Sequence, residues 1–125
     1  MIRYVTIVVD DYDSAIRYYT QLLAYVVRED SALSAHKRWV VVGPADGQGC
    51  GLLLAKATTP AQHDRIGDQT GGRVAFFYQT DDFATAYARM QTLGVHFLEA
   101  PRHEAYGWVV QFADRYGNRW DLLGG

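Results

Sequence analysis

A strand, a pair of aspartates and an amphipathic helix occur twice in this chain, in the same order and at one spacing. The first copy runs Val5-Thr6-Ile7-Val8-Val9, Asp10-Asp11, then Ile16, Tyr19, Leu22 and Leu23 on one helical face. The second runs Val74-Ala75-Phe76-Phe77-Tyr78, Asp81-Asp82, then Phe83, Ala86, Tyr87, Met90 and Leu93, with Gly94 as the stop. Asp10-Asp11-Tyr12 aligns with Asp81-Asp82-Phe83, and the same offset carries Ala15 onto Ala86 and Leu22 onto Leu93. Arg38-Trp39-Val40-Val41 meets Gly107-Trp108-Val109-Val110 at nearly that offset. Two copies are too few for a solenoid, so they are expected to pack as a pseudo-symmetric pair.

Each copy reads strand, helix, strand, strand, strand. Further strands are expected over 25–28, 39–42 and 52–55 in the first copy, and over 95–98 and 108–112 in the second. The repeats then span 1–57 and 72–125 of one domain. The polar segment 58–71, with Pro60 and Gly71, joins them and has room for a short helix over 61–66. Segment 99–107, holding Pro101, reads as a loop. The second copy ends in a hairpin, because Asp114-Arg115-Tyr116-Gly117-Asn118 separates two apolar runs and Gly and Asn tolerate the positive φ of tight turns. One carboxylate, Asp121, lies within the outgoing run Trp120-Asp121-Leu122-Leu123. It must face water or a polar pocket.

Composition removes several function classes. A formal net charge of −2 with no basic cluster larger than Lys37-Arg38 argues against nucleic acid as a partner. The single cysteine, Cys50, allows neither an internal disulfide nor a cysteine-based zinc site. No run approaches the ~18 apolar residues of a membrane span, and Met1 to Thr6 lacks the order of a signal peptide. The expected location is the cytoplasm, with no membrane partner. His36, His63, His96 and His103 are scattered and suggest no metal pair, although His103, Glu104 and Tyr106 could border a cavity mouth.

Three stretches resemble the vicinal oxygen chelate superfamily, which includes glyoxalase I, bleomycin-resistance proteins and extradiol dioxygenases. They are Val9-Asp10-Asp11-Tyr12-Asp13-Ser14-Ala15-Ile16-Arg17-Tyr18-Tyr19, the segment from Asp82 to Leu93-Gly94-Val95, and the hairpin from Phe112 to Leu122. The resemblance implies an α+β fold of two tandem βαβββ modules, whose eight strands form a cupped mixed sheet with the helices outside. In metal-using members, four ligands come from the first and fourth strands of each module, typically His or Gln, then Glu, His and Glu. Here the resemblance puts Tyr4, the apolar stretch around Leu52, Ala75 and Asp121 at those positions. Three of the four are unsuitable for a hard divalent ion, so no metal and no other cofactor is expected.

Strand alternation then sorts the pocket candidates. Tyr4 and Thr6 share a face with Val8, while Val5, Ile7 and Val9 should meet the helix. Ala75, Phe77 and Gln79 share a face, Arg119 and Asp121 share another, and Gln111 is the polar member of its strand. These eight residues, Tyr4, Thr6, Ala75, Phe77, Gln79, Gln111, Arg119 and Asp121, are the expected ligand-pocket set, with Asp121 and Tyr4 as the acid/base candidates if a reaction occurs. The expected function is small-molecule binding without the usual metal. The alternatives are a glyoxalase-like enzyme acting on a small oxygenated substrate, or a ligand-free dimerisation module. Superfamily members commonly pair, so a homodimer is expected.

Overall fold

The computed structural model describes residues 1–125, which divide into two compact units, 1–66 and 67–125. In the first unit β1 (Tyr4–Val9) leads into α1 (Tyr12–Leu23), followed by β2 (Val26–Ala32), β3 (Arg38–Gly43), β4 (Gly51–Lys56) and the single turn α2 (Pro60–His63). In the second, β5 (Val74–Thr80) leads into α3 (Phe83–Thr92), then β6 (His96–Phe97), β7 (Arg102–Glu104), β8 (Gly107–Ala113) and β9 (Arg119–Gly124). The sheet orders are β1-β4-β3-β2 and β5-β9-β8-β6, so the duplication read from the sequence is repeated in the strand topology. In each unit the first and last strands pair in parallel and the others antiparallel. The fold is α+β, built of βαβββ units.

The aspartate pairs do what their position implied. Asp11 is the N-cap of α1 and accepts from Ser14 N at 2.8 Å, while Asp82 caps α3 and accepts from Thr85 N at 3.1 Å. Helix α1 buries Tyr12, Ala15, Tyr19, Leu22 and Leu23 against its own sheet, where Ile7, Val9 and Leu54 are fully buried. Arg38 ties the helix to the sheet by pairing with Asp13 at 2.9 Å and with Asp30 at 2.8 Å. Helix α3 buries Phe83, Ala86 and Met90, with Phe83 stacked on Trp108 at 6.0 Å.

Several expectations need correction. Nine strands form, because the loop expected over 99–107 contains β7, which pairs with β8. The strand expected over 25–28 runs to Ala32, and the short helix occupies 60–63 rather than 61–66. Val5, assigned to the covered face, is more than a third exposed, and Leu93 follows the end of α3 and is exposed too. At the hairpin, Gly117 has φ 103°, but Asn118 does not adopt positive φ. Asn118 is present for its amide, which is buried against Asp114.

Asp114 organises that turn. Its Oδ1 accepts from Tyr116 N, Gly117 N and Asn118 N at 2.9, 3.1 and 3.0 Å, and its Oδ2 accepts from Asn118 Nδ2 and Trp120 Nε1 at 3.1 and 3.0 Å. A charge-assisted hydrogen bond contributes roughly 1.5–3 kcal/mol, and leaving such donors buried and unmatched costs more than the bonds are worth. Asp114→Ala should therefore lose about 3 kcal/mol or more, read as a lower urea midpoint at unchanged slope. At the end of α1, Ala24 sits at φ 53°, the one residue other than glycine with positive φ. Relief of that strain exceeds glycine's extra chain entropy, so Ala24→Gly should raise stability by about 0.5–1 kcal/mol in the same assay.

Candidate functional site

The expected pocket residues divide between the units, Tyr4 and Thr6 in the first and the other six in the second. In the second unit one row crosses three strands. Phe77 of β5, Asp121 of β9 and Gln111 of β8 are register partners, so their side chains share a face. The opposite face carries Trp120, Leu122, Val110 and Phe112, all buried. Gln79 lies further along the same open face as Phe77, and Arg119 lies two residues before Asp121. Phe77 is 64% exposed, an uncommon state for a phenylalanine in the middle of a strand.

Ala75 departs from the expectation. It is the extra residue of a β-bulge, since Val74 pairs with Arg119 and Phe76 with Trp120. The alternation that put it beside Phe77 and Gln79 is interrupted there, and it faces no residue of β9.

Asp121 is half-buried, and its Oδ1 is enclosed with no hydrogen-bond partner. Burial raises its carboxyl pKa above the ordinary 3.8. The Glu99 carboxylate raises it further, and Arg102 opposes the shift. Glu99 and Arg102 are site residues that sequence reading missed. Strand β8 is paired with β6 at Phe112 and Ala113 and with β7 from Gly107 to Val109, leaving the Gln111 N–H outside both ladders. Glu99 fills the gap, with Oε2 accepting from Gln111 N at 2.9 Å and Oε1 from Arg102 Nε at 3.0 Å. Arg102 continues to Glu104 at 2.7 Å. No periodicity signals a carboxylate that caps a sheet edge. His103 packs edge-on to Trp108 at 4.8 Å, and Tyr106 is exposed.

In the first unit the Tyr4 hydroxyl donates to Glu29 Oε2 at 2.8 Å. That bond, with some desolvation, holds the phenol above its ordinary pKa. The two residues come from opposite edge strands of their sheet, and the Tyr4 ring crosses the sheet over Gly51, where a Cβ would lie 3.4 Å from the ring. Trp39 meets the ring edge-on at 5.6 Å. Thr6 is exposed on the same face, abreast of Leu53 and Val41.

Two βαβββ units of equal strand order, each with a helix on one sheet face and polar groups spaced across the other, define a class of α+β proteins. The chain belongs to the Glyoxalase/Bleomycin resistance protein/Dioxygenase superfamily, whose model matches residues 1–122. It is 49% identical over 123 residues to an uncharacterized protein of Shewanella frigidimarina (strain NCIMB 400), covering 98% of this chain and 91% of that one. Among solved structures it is similar to UcmS2, at 28% identity and TM-score 0.83, covering 98% of this chain and 96% of that one. It is also similar to TnmS3, an antibiotic binding protein from Streptomyces sp. CB03234, at 24% identity and TM-score 0.77, covering 99% and 94%. At that identity the second likeness concerns the fold alone.

The resemblance assigns the metal-ligand positions to Tyr4, the stretch around Leu52, Ala75 and Asp121, and the strand register narrows the second to one residue. Leu53 is the β4 partner of Thr6, as Asp121 is the β9 partner of Phe77, so the set is Tyr4, Leu53, Ala75 and Asp121. A leucine and an alanine donate nothing, Tyr4 has its hydroxyl on Glu29, and no three His, Cys, Asp or Glu side chains cluster anywhere in the structure. The residues present do not fit a divalent ion.

Glu99→Gln keeps an acceptor for the Gln111 N–H but removes the charge. Asp121 should then titrate closer to its ordinary value, which carboxyl ¹³C shifts would follow; an unchanged titration would contradict the assignment. The sign for stability follows from the raised pKa. The folded state binds this proton more tightly than the unfolded chain, so Asp121 subtracts stability as pH rises from 3.8 through its folded value. Asp121→Asn should therefore be more stable than wild type at neutral pH, with the difference closing below pH 3.8.

Proposed function

We propose that this chain binds a small molecule on the open face of the second unit, with Asp121 as the polar anchor and no resident metal. The observation that carries the reading is the enclosed Asp121 Oδ1, a carboxylate oxygen with no protein partner. A buried acceptor left in that state costs about 1–3 kcal/mol, which a ligand donor would recover once the carboxyl group turns that oxygen toward the open face. The fitting ligand presents a hydroxyl, phenol or N–H to Asp121 and lays an apolar ring on Phe77, with the Gln111 amide for a second polar contact. Gln79 and Arg119 border the face. A few polar groups beside an exposed aromatic surface are what ligand sites usually offer. The fold shared with TnmS3 is compatible with this reading but carries no ligand identity.

A second reading, general acid/base catalysis on a small oxygenated substrate, is favoured by the raised pKa of Asp121, which moves a carboxyl toward working pH. Tyr4 is a poor partner for it, because its hydroxyl is engaged by Glu29. Turnover that survives Asp121→Asn would remove this reading.

Homodimerisation and a cytoplasmic location belong to the same proposal. Exposed Val27 and Leu33 in the first unit and Leu98 and Trp108 in the second leave apolar surface for a partner copy. No helix is long and apolar enough to cross a membrane. Sedimentation as a monomer at micromolar concentration would remove the dimer. The binding test is a thermal-shift screen of hydroxylated and aminated aromatic compounds. A true ligand at about 100 times its Kd should add about 2.7 kcal/mol to stability, and Asp121→Asn should abolish most of that gain. A binder equally effective on the variant would show that Asp121 is not the anchor.

A further inference from the structure

The first unit holds a cavity of about 650 Å³ between the start of β1, the bulged part of β2 and the loop over 44–50. That volume falls within the range of small-molecule sites. It is a built feature of the sequence. Arg28 is the extra residue of a bulge between Val27 and Glu29, and its guanidinium folds over Gly43, where a Cβ would come 2.5 Å from it. From there it donates to the carbonyls of Pro44 at 3.1 Å, Gln48 at 2.5 Å and Gly49 at 3.4 Å. The wall of the cavity is thereby fixed, and four of the five N–H donors of Arg28 are spent on it.

Two charged side chains beside Arg28 face an occupant. Glu29 accepts the Tyr4 hydroxyl on Oε2, leaving Oε1 without a protein donor. Arg3 stands with its guanidinium carbon 5.4 Å from the Tyr4 ring centroid and in no ion pair. Both act on the Tyr4 phenol, so they flank one side chain. The phenol donates to Glu29 and is within hydrogen-bonding reach of Arg3, but as an uncharged group it neutralises neither. A purely anionic occupant would strip water from Glu29 without replacing it, and a purely cationic one would do the same to Arg3.

We infer that this cavity binds a small zwitterion, its acidic group on Arg3, its ammonium on the free oxygen of Glu29 and its apolar body on the Tyr4 ring and Val26. All of its residues come from the first unit, and none belongs to the set proposed around Asp121.

Three probes with the same ring test it on the ¹⁵N-labelled full chain: L-phenylalanine, 3-phenylpropionate and phenethylamine. Phenylalanine should shift the amides of residues 3–4, 26–29 and 45–51 and bind at least about tenfold more tightly than either singly charged probe, the worth of one charge-assisted hydrogen bond. Arg3→Gln should reduce phenylalanine to the level of phenethylamine, and Glu29→Gln to that of 3-phenylpropionate. The carboxamide introduced by Glu29→Gln can still accept from Tyr4, so the sheet should stay intact, and the spectrum of each variant reports its fold directly. Equal affinity of phenylalanine and either analogue would overturn the zwitterion assignment. Absence of shifts in those amides at millimolar probe would overturn the site. The readout lies wholly in the first unit, so its failure is distinct from failure of the Asp121 reading.

Discussion

The second unit depends on one buried carboxylate. Asp114, 5% exposed, gathers three backbone N–H groups and one amide from its five-residue turn and one indole N–H from the strand that follows. Burying a charge is unfavourable by several kcal/mol unless donors replace the lost water, and here the turn and its outgoing strand supply them. Because Trp120 Nε1 is one of the donors, the carboxylate fixes which face of β9 meets the core. Trp120 is held inward against Phe112 at 5.9 Å and Phe76 at 4.6 Å. Strand alternation then leaves Asp121 no choice but the opposite face, abreast of Phe77 and Gln111. A slip of one residue would bury Asp121 in the aromatic layer and expose Trp120, so one carboxylate positions the other.

Glu99 plays a comparable part at the sheet edge. Between β6 and β7 the ladder on β8 lapses, and an unpaired N–H at a half-buried edge must find an acceptor. The acceptor that fills the gap is charged, so its field reaches Asp121 and makes ionisation there harder, while Arg102 limits the effect. The electrostatics of the open face thus follow from how an interrupted strand satisfies its backbone.

Those features differ sharply in how far the sequence discloses them. The duplicated strand-helix units, both aspartate caps, the hairpin and the outward side of Asp121 were legible, because each rests on local periodicity or on a residue whose chemistry suits one backbone position. Val5 and Leu93 misled because periodicity gives a face without saying where cover ends. The bulges at Ala75 and Arg28 were invisible, since a bulge is a property of two strands in register and neither residue type demands it. The bonds from Glu99 to Gln111 and from Tyr4 to Glu29 join residues far apart in the chain, and strand alternation cannot report them. For Asp121 the sequence disclosed the face, while the reason for its raised pKa lay in tertiary structure.

The two copies share strand order but have placed their polar groups differently. In the first unit the row Thr6, Leu53, Val41, Glu29 is apolar on both central strands and ends in a carboxylate on the edge strand β2. In the second, the row from Phe77 through Asp121 to Gln111 has its carboxylate on a central strand. An edge carboxylate can be reached by a long side chain lying across glycine, and Tyr4 over Gly51 does so, which leaves Glu29 with a partner on one oxygen. A central carboxylate is flanked by side chains on both neighbouring strands, and neither Phe77 nor Gln111 bonds to it. The duplicated fold therefore yields one carboxylate with one oxygen bonded within its own unit and one whose enclosed oxygen has no partner. The second sits where the covered aromatic layer beneath it cannot rearrange to help.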